Sequence, residues 1–208
     1  MTGNACIWDL DGTLLDSYGV IVSSLRDTLA EFDLPTEAGE VLREVKDGSV
    51  SAFLQQAAAN AGLPYQRLKD RYSAVSGGRI LEIPAMSHAR EALEEIAALG
   101  TAHFVYTHRG STALPVLENL GLDHFFKEIV SSLNGFPRKP APDALLYLIE
   151  KYGLDRSRTF YVGDRTLDMG CAQNAGIQGI IYAPQGLSAG DYVVRDLLEI
   201  AAIVNGSR

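Results

Sequence analysis

In Asn4-Ala5-Cys6-Ile7-Trp8-Asp9-Leu10-Asp11-Gly12-Thr13-Leu14, a short apolar run stops abruptly at two aspartates and a glycine. The run 4–8 is too short for a helix and suits a strand buried on both faces of a parallel sheet. Similar runs recur at 101–106, around 127–131, at 159–162 and at 179–183. Helical patterns lie between them. In 86–99, Ala89, Leu93, Ile96 and Leu99 repeat at helical spacing, and Gly100 supplies a stop. In 142–152, Pro142 opens a helix striped by Leu145, Leu146 and Ile149, and a further helix covers 166–175 and ends at Gly176. Strands alternating with helices imply an α/β fold, a doubly wound parallel sheet covered on both faces.

One stretch breaks the alternation. About a hundred residues separate Asp9 from Thr107, whereas a strand–helix–strand unit needs only ~30. The surplus reads as four amphipathic helices at about 17–32, 37–46, 50–61 and 65–76, with Thr36 and Ser49 as N-caps and Gly62-Leu63-Pro64 as a turn. The expected organisation is therefore an α/β core of 1–15 and 81–208 and a helical insertion of 16–80. An insertion placed directly after the first strand belongs at that strand's carboxyl end, where open α/β sheets bind ligands, and it reads as a lid.

Composition narrows the function. Among 208 residues, 47% are hydrophobic and 21% charged, as in a globular protein with a substantial core. With 18 basic and 26 acidic residues the formal charge is −8, which argues against nucleic acid or an anionic membrane surface as a partner. No apolar stretch approaches the ~18 residues of a membrane helix. Met1-Thr2-Gly3-Asn4 has no basic region, and Asp9 and Asp11 interrupt any signal-peptide core. The expectation is a cytoplasmic protein whose two cysteines, Cys6 and Cys171, are buried free thiols.

The chemistry lies in four short segments at predicted strand ends. Asp9-Leu10-Asp11-Gly12-Thr13 projects two carboxylates beside a glycine that lets backbone N–H groups approach an anion, although a polar turn would read the same way. Thr107 ends a strand, a position equally suited to a helix cap, and Lys139 precedes a helix, where a solvated lysine is ordinary. Asp164 and Asp168 stand four residues apart at a helix start, a place the helix dipole alone would favour. Together they say more. Two carboxylates 4 Å apart repel by roughly 4 kcal/mol at an effective dielectric of 20, so such a cluster needs a cation. Oxygen ligands without His or Cys point to a hard divalent ion, most simply Mg²⁺. A metal, a lysine, a hydroxyl and backbone amides are what the charge of a phosphoryl group requires.

In type, order and spacing the four segments resemble the motifs of the haloacid dehalogenase-like hydrolase superfamily, and the insertion resembles the small helical cap of the branch containing phosphoglycolate phosphatases and β-phosphoglucomutases. The resemblance implies an enzyme hydrolysing a small phosphorylated metabolite. In it Asp9 is the nucleophile that forms an aspartyl-phosphate, and Asp11 the acid and base. The side chains of Asp9 and Asp164 and the backbone carbonyl of Asp11 hold Mg²⁺, with Asp168 acting through a water or through Lys139. Thr107, Lys139 and the Gly12 turn bind the phosphoryl oxygens. Asp11 favours phosphate esters over carbon–halogen bonds, since dehalogenating members lack that second carboxylate.

Substrate contacts are less marked. Lys46 and Ser49, in Lys46-Asp47-Gly48-Ser49, are candidates from the insertion, and His108, Arg109 and Arg165 from the core, where an arginine can pair with a second anionic group on the substrate. Tyr18 and Trp8 read as packing near the hinge, and His88, His103 and His124 as structural. Three rivals remain at this point: a phosphomutase with the same core chemistry, a receiver-type signalling module, and an inactive phosphate-binding relative.

Overall fold

Six short strands, all parallel, form one sheet in a computed structural model that describes residues 4–184, 186 and 190–206. Of the N-terminal stretch considered above, Met1, Thr2 and Gly3 lie outside the described residues. The strands are β1 (Ala5–Trp8), β2 (Ala102–Tyr106), β3 (Phe126–Val130), β4 (Thr159–Gly163), β5 (Gln178–Tyr182) and β6 (Tyr192–Val194). The helices are α1 (Tyr18–Ala30), α2 (Ala38–Asp47), α3 (Val50–Ala61), α4 (Tyr65–Gly77), α5 (Ala89–Ala98), α6 (Ala113–Asn119), α7 (Asp143–Tyr152), α8 (Thr166–Ala175) and α9 (Glu199–Gly206).

The sheet order is β3-β2-β1-β4-β5-β6, so β1 sits between strands reached in opposite directions along the chain. The carboxyl ends of β1 and β4 thus border the switch point, the crevice where such sheets bind ligands. Register fixes what arrives there. Trp8 is level with Val105 on one side and Val162 on the other. Asp9 is the next residue; its N–H donates to the Val162 carbonyl (2.8 Å), as that of Thr107 does to Val130 (2.9 Å).

Every residue of β1 and β4 is buried, as apolar runs covered on both faces must be. On one face Ile7, Phe104, Tyr106 and Tyr161 pack with Leu145 and Leu148 of α7 and Cys171 of α8. Cys6 and Cys171 are buried free thiols. Trp8, the last residue of β1, is fully buried and its indole N–H donates to His103 Nδ1 at 3.0 Å.

The chain divides into two compact units, Met1–Asp16 with Pro84–Arg208, and Ser17–Ile83. The second is helical, α1 to α4 around Leu25, Leu29, Val41, Val45, Leu54 and Leu68. Ser49 caps α3, its hydroxyl accepting from the Ala52 N–H (3.1 Å), and Gly62 ends that helix with φ +64°. The cap expected at Thr36 is instead Glu37, whose backbone is extended; Thr36 offers its carbonyl to Arg26 Nε (3.1 Å). The segment 86–99 becomes helical only at Ala89, because His88 takes a left-handed conformation.

Trp8 donates to His103 Nδ1, so a proton added at that nitrogen would face another donor. Burial pushes the His103 imidazole down to about 4. The unfolded chain, with its histidine near 6.5, then binds a proton the folded chain refuses, so stability is lost as pH falls from about 6.5 towards 4, by up to ~3 kcal/mol. The expected result of urea titrations at pH 7.5 and 5 is a clear acid loss in the parent. In His103→Gln, whose amide oxygen can still accept from Trp8, that loss shrinks; an unchanged loss would remove His103 from the account.

Candidate active site

Asp9, Thr107 and Asp164 are each the first residue past a strand, on β1, β2 and β4. After Asp9 the chain folds back on itself. The N–H groups of Thr13, Leu14 and Leu15 all lie 2.9–3.1 Å from the Leu10 carbonyl, and Gly12 takes φ +84°, which a side chain would strain. The Gly12 N–H donates to the Leu15 carbonyl (2.8 Å). The glycine thus shapes the turn, and its own amide is already spent on that bond.

Lys139 lies between β3 and α7, and its side chain has no exposed surface. Its ammonium donates to Asp9 Oδ1 (2.6 Å) and Asp168 Oδ1 (2.8 Å), and it stands 5.0 and 5.2 Å from the ring centres of Tyr106 and Tyr161. Burial alone would lower its affinity for a proton; Asp168 and Asp9 outweigh that and hold it well above the ordinary lysine range. Burial pushes the Asp9 carboxyl up, and Lys139 pulls it back towards the ionised form. The His108 ring fixes the lysine's backbone by accepting the Lys139 N–H at Nε2 (3.0 Å). Burial, Lys139 and Arg138 push that imidazole down to about 2, so it stays a neutral acceptor.

Asp168 is the third residue of α8, and its Oδ2 accepts the Arg165 N–H (3.1 Å), as acids at helix starts do. Its Oδ1 meets Lys139 and the Tyr161 hydroxyl (3.3 Å). This fit explains Gly163. A Cβ there would lie 2.4 Å from the Asp168 Cβ and 2.6 Å from its Oδ2, so only glycine lets β4 and α8 come this close. Gly163, Tyr106 and Tyr161 were not among the candidates expected from sequence. A glycine one residue before Asp164 was the only local signal, and nothing local marks the tyrosines.

The structure therefore brings Asp9, Asp164, Asp168 and Lys139 into one cluster. One oxygen from each of the three carboxylates lies within 4.8 Å of the others. Three negative charges face one ammonium and, 4.0 Å from Asp164, the Arg165 guanidinium, so negative charge remains in excess, and all the donors are oxygen. Such a set fits a hard divalent cation.

Thr107 and Asp11 come next to this cluster along the strand ends. Thr107 is buried and its hydroxyl accepts the Arg109 N–H (3.1 Å); Arg109 forms an ion pair with Asp11. The Arg165 guanidinium lies 4.0 Å from Asp164. Lys46 and Ser49 belong to the helical unit, where Lys46 stands 4.6 Å from the centre of the Tyr18 ring and Ser49 caps α3. Among the described residues no helix is long and apolar enough to cross a membrane.

Comparison with known proteins gives the family of the chain. Residues 6–182 match the family model for haloacid dehalogenase-like hydrolases. The chain is 29% identical to a phosphoglycolate phosphatase of Pasteurella multocida, over 95% of this chain and 96% of that one. It is 32% identical to one of Agrobacterium fabrum, over 84% and 78%. The crystal structure of a predicted phosphoglycolate phosphatase from Haemophilus somnus superposes with a TM-score of 0.85, covering 98% of each chain at 24% identity, a likeness of fold.

A cation bound at this cluster must stabilise the fold that assembles it. At a hundred times its dissociation constant, Mg²⁺ is expected to add about 2.7 kcal/mol and raise the melting temperature by about 5–10 °C. Asp164→Asn should melt at or above the parent in EDTA, because repulsion is relieved, yet gain far less from Mg²⁺. Equal Mg²⁺ shifts in the two proteins, followed by calorimetry, would put the ion elsewhere.

Proposed function

We propose that this chain, which belongs to the haloacid dehalogenase-like hydrolases, is a Mg²⁺-dependent phosphatase that hydrolyses the phosphate monoester of a small metabolite through an aspartyl-phosphate on Asp9. The observation that carries the reading is the buried Lys139 ammonium, which joins Asp9 to Asp168 beside Asp164. A structural salt bridge needs two charges; this cluster gathers three carboxylates around one buried ammonium, with the Arg165 guanidinium 4.0 Å from Asp164, at the switch point of the sheet. Phosphoglycolate, the substrate in the names of the relatives above, is the first to test.

The chain's own groups have distinct work. Asp9 attacks phosphorus while the bond to the ester oxygen breaks, and Asp11 gives its proton to the departing alkoxide. Asp11 then takes a proton from the water that attacks the aspartyl-phosphate, releasing inorganic phosphate and restoring Asp9. Lys139 and Thr107 bind the transferring oxygens, and fixed charges of this kind are worth most where water is excluded. Asp168 keeps Lys139 in place, with Gly163 giving it room. Asp9, Asp164 and the Asp11 backbone carbonyl would hold Mg²⁺, which would supply positive charge to the phosphoryl group. The helical unit is a lid in this reading, with Lys46 and Ser49 as its candidate contacts to the leaving group.

Phosphate release from phosphoglycolate and from phenyl phosphate, measured with Mg²⁺ and with EDTA, tests the reading. The expected outcome is Mg²⁺-dependent turnover that Asp9→Asn lowers by about a thousandfold or more. Undiminished turnover by Asp9→Asn would end the nucleophile assignment. Movement of phosphate between sugar hydroxyls without release would make the enzyme a mutase.

A further inference from the structure

We propose that Arg109 is a positioning residue that holds Asp11 out of play in the resting enzyme, and that an anionic group on the leaving-group side of the substrate takes over its guanidinium and sets Asp11 free. The role given to Asp11 rests on the phosphatase reading above.

Arg109 stands two residues past Thr107 and Asp11 two residues past Asp9, on the loops that follow the adjacent strands β2 and β1. The guanidinium engages both carboxylate oxygens: Nε lies 3.3 Å from Oδ2, and Nη2 donates to Oδ1. This is the two-pronged geometry in which an arginine–carboxylate pair is strongest and most directional. With only 10% of the arginine side chain and 24% of the aspartate exposed, water does not screen it as it screens a surface pair.

Arg109 is also held from its own loop. Nη1 donates to the Thr112 hydroxyl (3.2 Å), and the Arg109 N–H donates to Thr107 Oγ1 (3.1 Å). The backbone bond holds the loop, and the bond to Thr112 holds the guanidinium when the carboxylate departs.

A carboxylate whose two oxygens both accept from a guanidinium carries no O–H to direct at an ester oxygen. Before it can protonate the leaving alkoxide, the pair has to open. With an uncharged leaving group, opening separates a largely buried guanidinium from this carboxylate and nothing on the substrate takes its place, which is costly. A substrate with an anion beside the ester oxygen supplies that charge, so one ion pair replaces another at little cost, and the released Asp11 carboxylate takes from water the proton that it passes to the alkoxide. Charged and uncharged leaving groups should accordingly differ in kcat as well as in KM.

The test compares phosphoglycolate with its uncharged carboxamide in the parent enzyme, Arg109→Gln and Arg109→Lys, with Asp9→Asn as the blank. The parent should prefer the charged ester by about tenfold or more in kcat/KM. Arg109→Gln should raise kcat on the carboxamide a few-fold, because Asp11 is no longer held, and raise KM for phosphoglycolate by about tenfold, so the preference collapses. Arg109→Lys, which keeps the charge and loses the fork, should fall between. If the arginine only orients Asp11, Arg109→Gln lowers kcat on both esters alike and the preference survives, which overturns the proposal. No turnover of either ester by the parent would count against the phosphatase reading instead. The Arg109 Nε–H resonance then decides the inference by itself. It should move on addition of 3-phosphonopropionate, the inert analogue of phosphoglycolate, and stay in place with propylphosphonate; no movement with either overturns the exchange.

Discussion

One ammonium without exposed surface, that of Lys139, sits 2.6 Å from Asp9 and 2.8 Å from Asp168, and the site depends on it. Taking an ammonium and two carboxylates out of water costs several kcal/mol per ion, and only close, well-directed contacts recover it. The arrangement is poor economy as a source of stability and effective as chemistry. Asp9 is kept available as an anion in a place where burial alone would protonate it. The lysine's own proton is secured by the two acids. Around this triad the remaining contacts have supporting parts: His108 fixes the lysine backbone, the Arg165 N–H fixes Asp168, and Gly163 leaves the space in which the triad closes.

The sheet supplies the convergence. Parallel strands bring their carboxyl ends to one edge, and the order β2-β1-β4 sets Asp9 between Thr107 and Asp164 although these residues are far apart along the chain. A metal-binding hydrolase site needs oxygen donors, a cation and anion-binding groups within a few ångströms of one another. A switch point provides that juxtaposition from residues that lie immediately past strands and therefore inherit the strands' rigidity.

Much of the fold was legible because buried parallel strands are continuous apolar runs with abrupt polar ends. Ala5–Trp8, Ala102–Tyr106 and Thr159–Gly163 all have that form. The elements not anticipated include β6, which has three residues, α6, which holds Pro115 in its first turn, the one place a helix tolerates it, and α9. At the site, Asp9, Asp164 and Thr107 were marked by strand ends. Lys139 was also expected at a strand end but lies between β3 and α7, and its burial, produced by partners 130 and 29 residues away, had no local mark. The same distance hid the Arg109–Asp11 pair, 98 residues apart, and the reason for Gly163, which is the volume of the Asp168 carboxyl group. Thr36 shows the converse, a residue of the right type for a cap that hydrogen-bonds elsewhere through its carbonyl while Glu37 begins α2.

The central claim is that Lys139 and its neighbours hold Asp9 ready to accept a phosphoryl group, and acid quenching during turnover tests it most directly. Fragment-ion mass spectrometry of the quenched protein is predicted to find a phosphoryl adduct on Asp9, absent without Mg²⁺ and absent in Lys139→Met. An adduct on Asp11 or Asp164, or turnover that continues with no adduct on the protein at any time, would contradict it.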